Sequence, residues 1–535
     1  MKRQLRLIVI EIVLLAAAIC WAFAQKAIMK ELEPTLSLEN PKYNGVVVAN
    51  VGKRSITAQE FLFSYTFGPA FTKREKDSRK RYLNFMVYEK LLALEGYARR
   101  LDTSAQAVHT LAEIEGDLAT EELYKEDVLS KVSVTEQDIQ EGMKQDRNHL
   151  TVRWLYARTA EECSAKQRSL AAGVPFDSLL AQELQNGVNP ADRSMETTDF
   201  QLARKNPQLL HAVDTLQTGA YSQPVAANDG FYIVNVSKRW HNPIVNETEN
   251  TKSHFDIERA LAREKSDSLS DLYLAKIIAG RHPTIIRQQI DILHVYLAKK
   301  ILPEETFNQW KLDDRLTERW GPLSVTDIAP FKKQTLVELD GRKFSVNDFL
   351  DWHAAREMNL KLPQTSPQAF FSSLEQMVWQ MVRDRLLTER AKKRGLQNRE
   401  SVRKQSAWWK DKIVYRLMRE AISDSITCND SLLERYYSDH QRNYRGEKGD
   451  TLSFAKARDD VRRDFYSDAL TAKLFHRILA LRKQYGVKIF DEQLNKVAVG
   501  EENDPKAIDV YVAKKSGIFP RQAFPSIDYE WQTWD

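Results

Sequence analysis

Cysteine is scarce in this 535-residue chain: of its three cysteines, only Cys163 and Cys428 lie outside the apolar N-terminus. Each stands alone in a helical pattern, and two isolated cysteines make neither a disulfide framework nor a metal site. We therefore expect both to be small buried hydrophobic residues. The ten histidines are scattered and none forms a His-x-x-x-His pair, so we also expect no metal site.

The sequence also lacks an excess of charge of one sign, glycine-rich loops, and the turn that presents a nucleophilic serine. The 79 basic residues are nearly balanced by 74 acidic ones, and such a mixed surface is not the footprint of a nucleic-acid-binding protein. The sequence has no glycine-rich phosphate loop and no Gly-x-Ser-x-Gly turn, so it indicates neither a nucleotide-binding site nor a hydrolase of that class. We expect no cofactor and no nucleic-acid partner.

Long apolar runs are absent except at the N-terminus. There the basic segment MKRQLR precedes LIVIEIVLLAAAICW, and Ala22-Phe23-Ala24 is a small-x-small site ahead of Gln25. This pattern predicts a signal peptide at 1–24, and therefore export. The run is nearly long enough to remain as a membrane anchor, although Glu11 interrupts it. Membrane contact is expected only through this segment, if it is uncleaved.

The chain contains an internal repeat. Four segments of its first half recur in the same order in its second half: 52–62 with 341–350, 86–92 with 381–387, 132–143 with 426–437, and 255–286 with 454–489. In the second pair, MVYEKLL and MVRDRLL have four identities in seven positions. Ordered matches of this kind indicate that one helical module occurs twice.

Both copies carry helix-start signals at matching places. Thr57 and Ser345 are each followed three residues later by an acidic residue, which is the spacing of a capping box. Thr135 and Asn429 stand at the next matching helix start and are expected to be N-caps. The repeated module is therefore expected to begin with a short strand and turn that lead into capped helices.

The spacing of the repeat predicts the domain organisation, which is α+β and mostly helical. The last two matching segments are close together in the second copy but far apart in the first, so the first copy carries an inserted domain. The predicted order is module 1 at 44–148, the insert at 149–242, the closing helix of module 1 at 251–292, a linker at 293–332, module 2 at 333–445 with its closing helix at 452–495, and a tail at 496–535.

The insert combines short strands and helices. LTVRWLYA (150–157) alternates as a strand does, a helix then ends at Gly173, and DGFYIVNVSKRW is the last strand. The resulting β-α-α-α-β-β order resembles the parvulin family of peptidyl-prolyl isomerases. The resemblance is carried by Val152-Arg153, Gly173-x-x-Phe176, Ala212 with Leu216, Thr218-Gly219-x-x-Ser222-x-Pro224-Val225 and Gly230-Phe231-Tyr232-Ile233-Val234.

The helical modules resemble the chaperone core of SurA, PrsA and PpiD from 44 to 495. This resemblance implies a periplasmic protein that holds unfolded secreted or outer-membrane polypeptides without ATP and that favours aromatic-rich segments. Two alternatives stay open. One is a working prolyl isomerase that uses Tyr232 and polar neighbours such as Asp229, and the other is a scaffold for one fixed envelope partner.

Two positions depart from the parvulin pattern. Trp154 and Tyr232 stand where the family places a pair of histidines beneath the bound proline, and SMETTDF (194–200) lacks the family's glycines. Aromatic side chains cannot reproduce a linked imidazole pair, so we assign no catalytic residue and expect weak or no isomerase activity. The expected groove also includes the neighbouring residues Leu209, Leu216, Asp229 and Phe231. It either binds peptides or is filled by its own side chains, and the sequence leaves both open.

The tail at 496–535 matches neither copy. IDVYVAKK predicts a strand, and the end of the tail carries the aromatic-x-aromatic element Tyr529-Glu530-Trp531. One hypothesis is that the tail occupies the protein's own client groove. The alternatives are a packed strand and an end without fixed structure.

Overall fold

The computed structural model describes residues 43–69, 77–185, 188–227, 229–243, 246–356, 360–446, 449–497, 519–520, 524–529, 531 and 534. The predicted signal peptide at 1–24 and the predicted strand IDVYVAKK lie outside these residues. None of the described helices is long and apolar enough to cross a membrane. The described residues form two compact units: the insert unit, Ser130–Ser268, and the helical unit, which consists of the residues up to Leu129 and from Leu269 onward.

The first copy of the repeat begins the helical unit. Strands β1 (Val47–Val51) and β2 (Arg54–Thr57) form an antiparallel hairpin, and helices α1 (Ala58–Thr66), α2 (Ser78–Ala98) and α3 (Ala105–Asp127) follow. The Thr57 hydroxyl accepts a hydrogen bond from the Glu60 N–H, as its position predicts. Helix α1 therefore begins where the hairpin ends.

The insert unit is a four-stranded antiparallel sheet with helices on both faces. Its elements are α4 (Glu136–Asp146), β3 (Asn148–Ala157), α5 (Ala160–Ala171), α6 (Phe176–Gln185), β4 (Ser194–Thr198), α7 (Asp199–Lys205), α8 (Pro207–Asp214), β5 (Val225–Ala227), β6 (Gly230–His241) and the first part of α9 (Glu247–Ile278). The sheet order is β4-β3-β6-β5. Strand β4 is an addition to the predicted element order, and it pairs along the edge of β3.

Alternation along β3 and β6 divides the core of the insert unit between the two faces of the sheet. Leu155 and Ile233 face one side, where they pack with residues of α5 and α6. Leu150 and Val234 face the other side, where they pack with residues of α7 and α8. Each face therefore has its own small core, and the groove predicted from the sequence can lie on only one of them.

The interval 293–332, predicted to be a linker, is folded, so that prediction is wrong. After β7 (Thr284–Ile285) come three helices: α10 (Arg287–Ile301), α11 (Glu304–Trp310) and α12 (Leu312–Trp320). Apolar residues of all three are buried, among them Leu293, Phe307 and Leu316. Each helix has buried apolar residues three or four positions apart, which share one face. Burial of that apolar face is what stabilises such short helices.

The second copy completes the helical unit. Its elements are β8 (Thr335–Leu339), β9 (Arg342–Ser345), α13 (Val346–Ala354), α14 (Pro367–Lys393), α15 (Glu400–Asp424), α16 (Asp430–His440), α17 (Phe454–Tyr485), β10 (Val487–Ile489) and α18 (Asp491–Asn495). Three predicted caps are confirmed: Thr135 and Ser345 form full capping boxes, and Asn429 accepts from the N–H of Leu432. The matching helix starts therefore share the same local chemistry.

Of the two cysteines predicted to be buried, only one is. Cys163 lies in the core of the insert unit, on α5. Cys428 is exposed, so its prediction is wrong. It lies in the turn between α15 and α16, directly before the Asn429 cap, and a residue in such a turn has no helix face to bury.

The closing strands are exchanged between the two copies. Strand β10, which follows the closing helix of the second copy, pairs with β1 of the first copy, with Ala49 opposite Ile489. Strand β7, which follows the closing helix of the first copy, pairs with β8 of the second, with Ile285 opposite Val337. The closing helix predicted for each copy is therefore followed by a strand that pairs with the other copy. Each three-stranded sheet of the helical unit contains strands from both copies.

Helices of the two copies also interlock. Helix α15 packs along α2 and α3, and the helical core joins Leu91 of α2 to Val414 and Met418 of α15. At Gly96 the approach of α2 to α15 is close, because a Cβ there would lie 2.5 Å from the Val414 side chain. The two copies therefore share one core and are not separate modules.

Charged side chains are buried where the copies meet. Arg356 of the second copy donates to Glu113 at 3.0 Å and pairs with Asp117, both on α3 of the first. Lys90 on α2 lies 2.6 Å from Glu60 and 2.9 Å from Asp411 on α15. Buried ion pairs of this kind cost desolvation, but they fix which surfaces can meet.

Candidate peptide-binding groove

The two residues at the family's histidine positions lie on the same face of the insert sheet. Trp154 on β3 lies opposite Val234, and Tyr232 on β6 lies opposite Tyr156, so Trp154 and Tyr232 are diagonal neighbours. Both are half-buried and pack against the core below α7 and α8. The register of β3 and β6 therefore brings together the residues that the sequence analysis paired.

The Tyr232 side chain is held at the mouth of the groove by a carboxylate. Its hydroxyl donates to Asp229 Oδ2 at 2.6 Å. Burial, followed by this hydrogen bond and the charge of Asp229, raises the pKa of Tyr232 to about 12. The hydroxyl is therefore neutral at physiological pH and acts as a hydrogen-bond donor.

Tyr156, which was not predicted from the sequence, forms an aromatic wall together with Tyr232. Its ring lies edge-on to Tyr232, with centroids 5.4 Å apart, and its hydroxyl donates to the Asp229 carbonyl at 2.6 Å. Strand alternation gives the signal that could have found it, since Tyr156 lies two residues beyond Trp154 and must share its face.

Three charged side chains hold the Tyr156 ring and its main chain in place. The guanidinium of Arg193 lies 5.4 Å from the centre of the Tyr156 ring, and its Nε donates to Glu183 at 2.7 Å. Lys166 donates to the Tyr156 carbonyl at 2.6 Å and also pairs with Glu183. The Tyr156 ring and main chain are thus fixed in place, which positions the edge that Tyr232 meets.

Gly230 allows the turn into β6 to pass close to Tyr156. Its φ of +153° is one that L side chains rarely adopt, and a Cβ there would lie 2.6 Å from the Tyr156 ring and 2.7 Å from the Ala157 carbonyl. Glycine is therefore the residue that fits at this position. The Gly230-Phe231-Tyr232 motif places the aromatic wall through its backbone as much as through its side chains.

The other predicted groove residues divide between the two faces of the sheet. Leu209 and Leu216 pack beside Trp154 and Tyr232, as expected. Asp229 is exposed at the edge of the groove. Phe231 points to the opposite face, where it packs with the core below α5 and α6, so its assignment to the groove is wrong. The reason is strand periodicity: a direct neighbour of Tyr232 must face away from it.

An open pocket of about 480 Å³ lies at the mouth of the groove. It is lined by Lys205, Asn206, Pro207, Gln208, Ala227, Asp229 and Tyr232. Trp154 and Leu209 are not part of this lining, because they pack into the layer beneath it. The pocket is thus bordered by the Lys205 ammonium and by amide, carboxylate and hydroxyl groups, and its apolar part is limited to Pro207, Ala227 and the Tyr232 ring. It lacks the apolar walls that enclose a proline ring.

The turn between α8 and β5 serves the fold and not the groove. Ser222 accepts a hydrogen bond from the Val234 N–H at 3.0 Å, and the Asn235 amide donates to the carbonyls of Gly219 and Ala220, both at 2.9 Å. Ser222 and Asn235 are buried.

Within the described residues, no cluster of three or more His, Cys, Asp or Glu side chains could hold a metal ion.

Comparison with known proteins gives one significant sequence relative and several structural ones. No family model matches the chain. A foldase protein PrsA of Oceanobacillus iheyensis is 25% identical over 134 residues, which is 25% of this chain and 42% of the relative. The chain therefore spans less than half the length of this PrsA. The similarity to PrsA predicted from the sequence is confirmed.

Solved structures of a PrsA and of a SurA-like chaperone also match the chain, at low sequence identity. PrsA of Bacillus anthracis is 11% identical in sequence, and the match covers 36% of this chain and 96% of that chain with a TM-score of 0.19. A SurA-like chaperone of Campylobacter jejuni matches with 15% identity, 44% of this chain, 97% of that chain and a TM-score of 0.20. The chain has the predicted α+β, mostly helical fold. It is similar in sequence to a protein-folding factor.

Proposed function

We propose that this protein is an ATP-independent chaperone that holds unfolded exported polypeptides, and that its insert unit binds extended peptide segments. The similarity to a PrsA foldase supports a role in protein folding. The predicted export signal at 1–24 supports action outside the cytoplasm, in the periplasm. Clients are released when they fold or are handed on, since folding removes the apolar segments that bind.

The single observation that carries peptide binding is the open pocket at Tyr232. Aromatic faces with polar edges bind extended chains well, because they contribute contact area and a hydrogen bond at low entropic cost. Tyr232 offers one ring face and a neutral hydroxyl beside the Asp229 carboxylate. The amide and carboxylate groups around it match the polar main chain of a bound segment.

The same pocket argues against efficient isomerisation. Rotation about a prolyl amide needs a barrier of roughly 18–20 kcal/mol to be lowered, and an enclosing apolar site does this by desolvating the amide. Here the pocket is open and polar, and Trp154 and Tyr232 replace the imidazole pair. We therefore propose that isomerase activity is weak or absent.

A direct test measures suppression of aggregation of an unfolded outer-membrane protein by the full chain. Tyr232→Ala should weaken binding of an unfolded segment about fivefold or more, because truncating an aromatic contact of this kind costs about 1 kcal/mol or more. Tyr232→Phe is the matched control, since it keeps the ring. If Tyr232→Ala holds clients as well as the natural chain, the groove is not the binding site.

A working isomerase is the second candidate, and one observation favours it. The hydrogen bond from Tyr232 to Asp229 places a polar donor–acceptor pair at the groove mouth. If this pair acts on a prolyl amide, Tyr232→Phe should abolish isomerase activity in the full chain, while peptide binding falls only about two- to threefold. Activity that survives Tyr232→Phe would exclude this candidate.

A further inference from the structure

The described part of the C-terminal tail packs into the helical unit. Ile527 and Trp531 are only 3% and 2% exposed, whereas Tyr529 between them is 64% exposed. The tail reaches this position after 498–518, which lie outside the described residues. Ile527 and Trp531 are four residues apart, so one side of the tail faces the protein.

Aromatic side chains anchor both ends of this contact. Phe524 packs on Phe63 and Phe67, with ring centroids 4.3 and 5.0 Å apart. Trp531 stacks on Phe85 at 5.8 Å with the ring planes 15° apart. All three partner rings belong to the first copy of the repeat, on α1 and α2 or directly after α1.

A buried ion pair forms the polar floor between these anchors. Lys412 of α15 donates to Glu89 of α2 at 2.7 and 2.8 Å, and both side chains are buried. The tail engages both charges. The Asp528 carboxylate lies 2.8 Å from Lys412, and the Trp531 indole N–H donates to Glu89 at 2.9 Å. This geometry selects an acid three residues before a tryptophan.

The main chain of the tail is held by side chains of the helical unit. The N–H of Ile527 donates to the Tyr82 hydroxyl at 3.4 Å, the N–H of Asp528 donates to Glu89 at 2.9 Å, and Arg81 donates to the Trp534 carbonyl at 2.6 Å. Among the described residues of the tail, main-chain to main-chain bonds are local, from Trp531 to Asp528 and from Trp534 to Trp531.

Strand β10 provides the contrast with an element of the fold. It joins β1 through a backbone ladder over three residue pairs. Among the described residues the tail contact has no such ladder, and it consists of anchoring rings, one acid and side-chain bonds to main chain, so side chains select the segment that fits it. The tail also leaves a cavity of about 40 Å³ beside Pro525 and Ser526.

We propose that this surface, the tail groove, is a peptide-binding site that the chain's own C-terminus occupies and that a segment of another polypeptide can take over. The tail groove is formed by Phe63, Tyr82, Phe85, Glu89 and Lys412. Its ligand is a segment with an aromatic residue, an acid four residues later and a tryptophan three residues after the acid. The identification of that polypeptide as a client rests on the proposed function, whereas the groove itself does not.

Tethering sets how strongly the tail competes. Because the tail belongs to the same chain, its effective concentration at the groove is on the order of millimolar, so a free peptide with a Kd of about 10 μM would bind about 100-fold more weakly while the tail is in place. Removing the tail should therefore reveal the site. The tail groove is then available only to segments that bind strongly enough, or are abundant enough, to displace the tail.

The test uses a fluorescently labelled synthetic peptide of residues 519–535, with binding measured by anisotropy. The full chain lacking 519–535 should bind this peptide saturably, at one peptide per chain and at least 30-fold more tightly than the complete chain does. Peptides carrying Asp528→Ala or Trp531→Ala should bind at least tenfold more weakly, and a Tyr529→Ala peptide should bind like the natural one. Peptide variants leave the protein itself unchanged.

A second protein variant guards against loss of folding. If the truncated chain is not folded by circular dichroism and size-exclusion chromatography, the complete chain with Phe524→Ala and Trp531→Ala takes its place, and the same binding is expected. The proposal is overturned if the folded variant does not bind the peptide, if the complete chain binds it equally well, or if the Trp531→Ala peptide binds normally.

Aggregation suppression separates this proposal from the proposed function. A truncated chain that binds the tail peptide but does not protect an unfolded outer-membrane protein retains the groove and refutes the chaperone role. A truncated chain that protects the client as well as the natural chain, yet does not bind the tail peptide, refutes the groove and retains the chaperone role.

Discussion

The insert unit and the helical unit use their polar side chains in opposite ways. In the helical unit, Lys90 and Lys412 are buried, the Arg356 side chain is only 12% exposed, and all three pair with carboxylates of the other copy of the repeat. In the insert unit, the polar pair of Tyr232 and Asp229 lies at an open edge above a small apolar core. Buried charges thus fix one assembly of the helices, while the open pair remains available to a ligand.

The largest expected effect comes from Arg356, which joins the copies through Glu113 and Asp117. Arg356→Met leaves Asp117 without its buried partner, while Glu113 keeps its pair with Arg385, and we expect a loss of about 3–5 kcal/mol in the free energy of unfolding, measured with urea. Burial raises the pKa of Asp117 to about 7, against the opposing effect of Arg356. The loss should therefore be smaller at pH 5, where the stranded carboxyl is protonated, than at pH 8.

The exposed ion pair of Arg458 and Asp430 gives the control for Arg356. These side chains are 39% and 65% exposed, so Arg458→Met should leave the urea midpoint unchanged. If Arg356→Met is as mild as Arg458→Met, the buried charges do not hold the copies together.

Acid should weaken the helical unit through His294. This imidazole is 9% exposed and packs against Phe370 and Phe371 at 5.4 and 5.2 Å. Burial lowers its pKa to about 4, against the opposing charge of Asp291. Since the folded pKa lies below the unfolded one, this contribution is present above about pH 6.5 and is lost as pH falls towards 4.

The measurement compares urea unfolding of the natural chain and of His294→Leu at pH 7.5 and 4.5. The natural chain should lose about 2.5 kcal/mol more than the variant over this range. Equal losses in the two proteins would mean that His294 is not buried as a neutral imidazole.

A glycine substitution tests the aromatic wall of the insert unit. Gly230→Ala places a Cβ against the Tyr156 ring and the Ala157 carbonyl at a φ that alanine rarely adopts. We expect a destabilisation of about 2 kcal/mol and weaker peptide binding, because the turn must shift. Gly173→Ala is the control, since it also has positive φ but no atom within 4 Å of the added Cβ. A larger loss from Gly173→Ala would show that φ, and not the approach to Tyr156, decides.

The smallest effect is expected from Tyr232→Phe. This substitution removes one hydrogen bond to Asp229 at a half-buried site, so the free energy of unfolding should change by less than about 1 kcal/mol. Peptide binding should fall only about two- to threefold, because the ring remains. A loss as large as that of Tyr232→Ala would assign the binding to the hydroxyl and not to the aromatic face.

Local features of this fold follow from the sequence, whereas the exchange of strands does not. Helix caps such as Ser345 and Asn429 act over three residues, so the sequence fixes them locally. Strands β7 and β10 are both short and β-branched, and either could pair with β1 or β8. Which copy each strand joins depends on helix packing and buried charges far away in the sequence, and the repeat itself favours the wrong partner.

The candidate site shows the same division between local and distant information. Trp154 and Tyr232 were found from motif positions, and strand register brings them together. Phe231 was misplaced only because alternation was not applied to the motif, and Tyr156 was missed for the same reason. That the tail occupies a groove was one hypothesis from the sequence, but the residues of the tail groove could not be predicted, because they come from α1, α2, α15 and the last residues of the chain.

The most direct test of peptide binding without catalysis is a protease-coupled prolyl isomerase assay of the full chain beside an active parvulin. The expected rate is that of the uncatalysed reaction, under conditions in which the same preparation suppresses aggregation of an unfolded outer-membrane protein. A rate within about tenfold of the active parvulin would contradict this and make the insert unit a working isomerase.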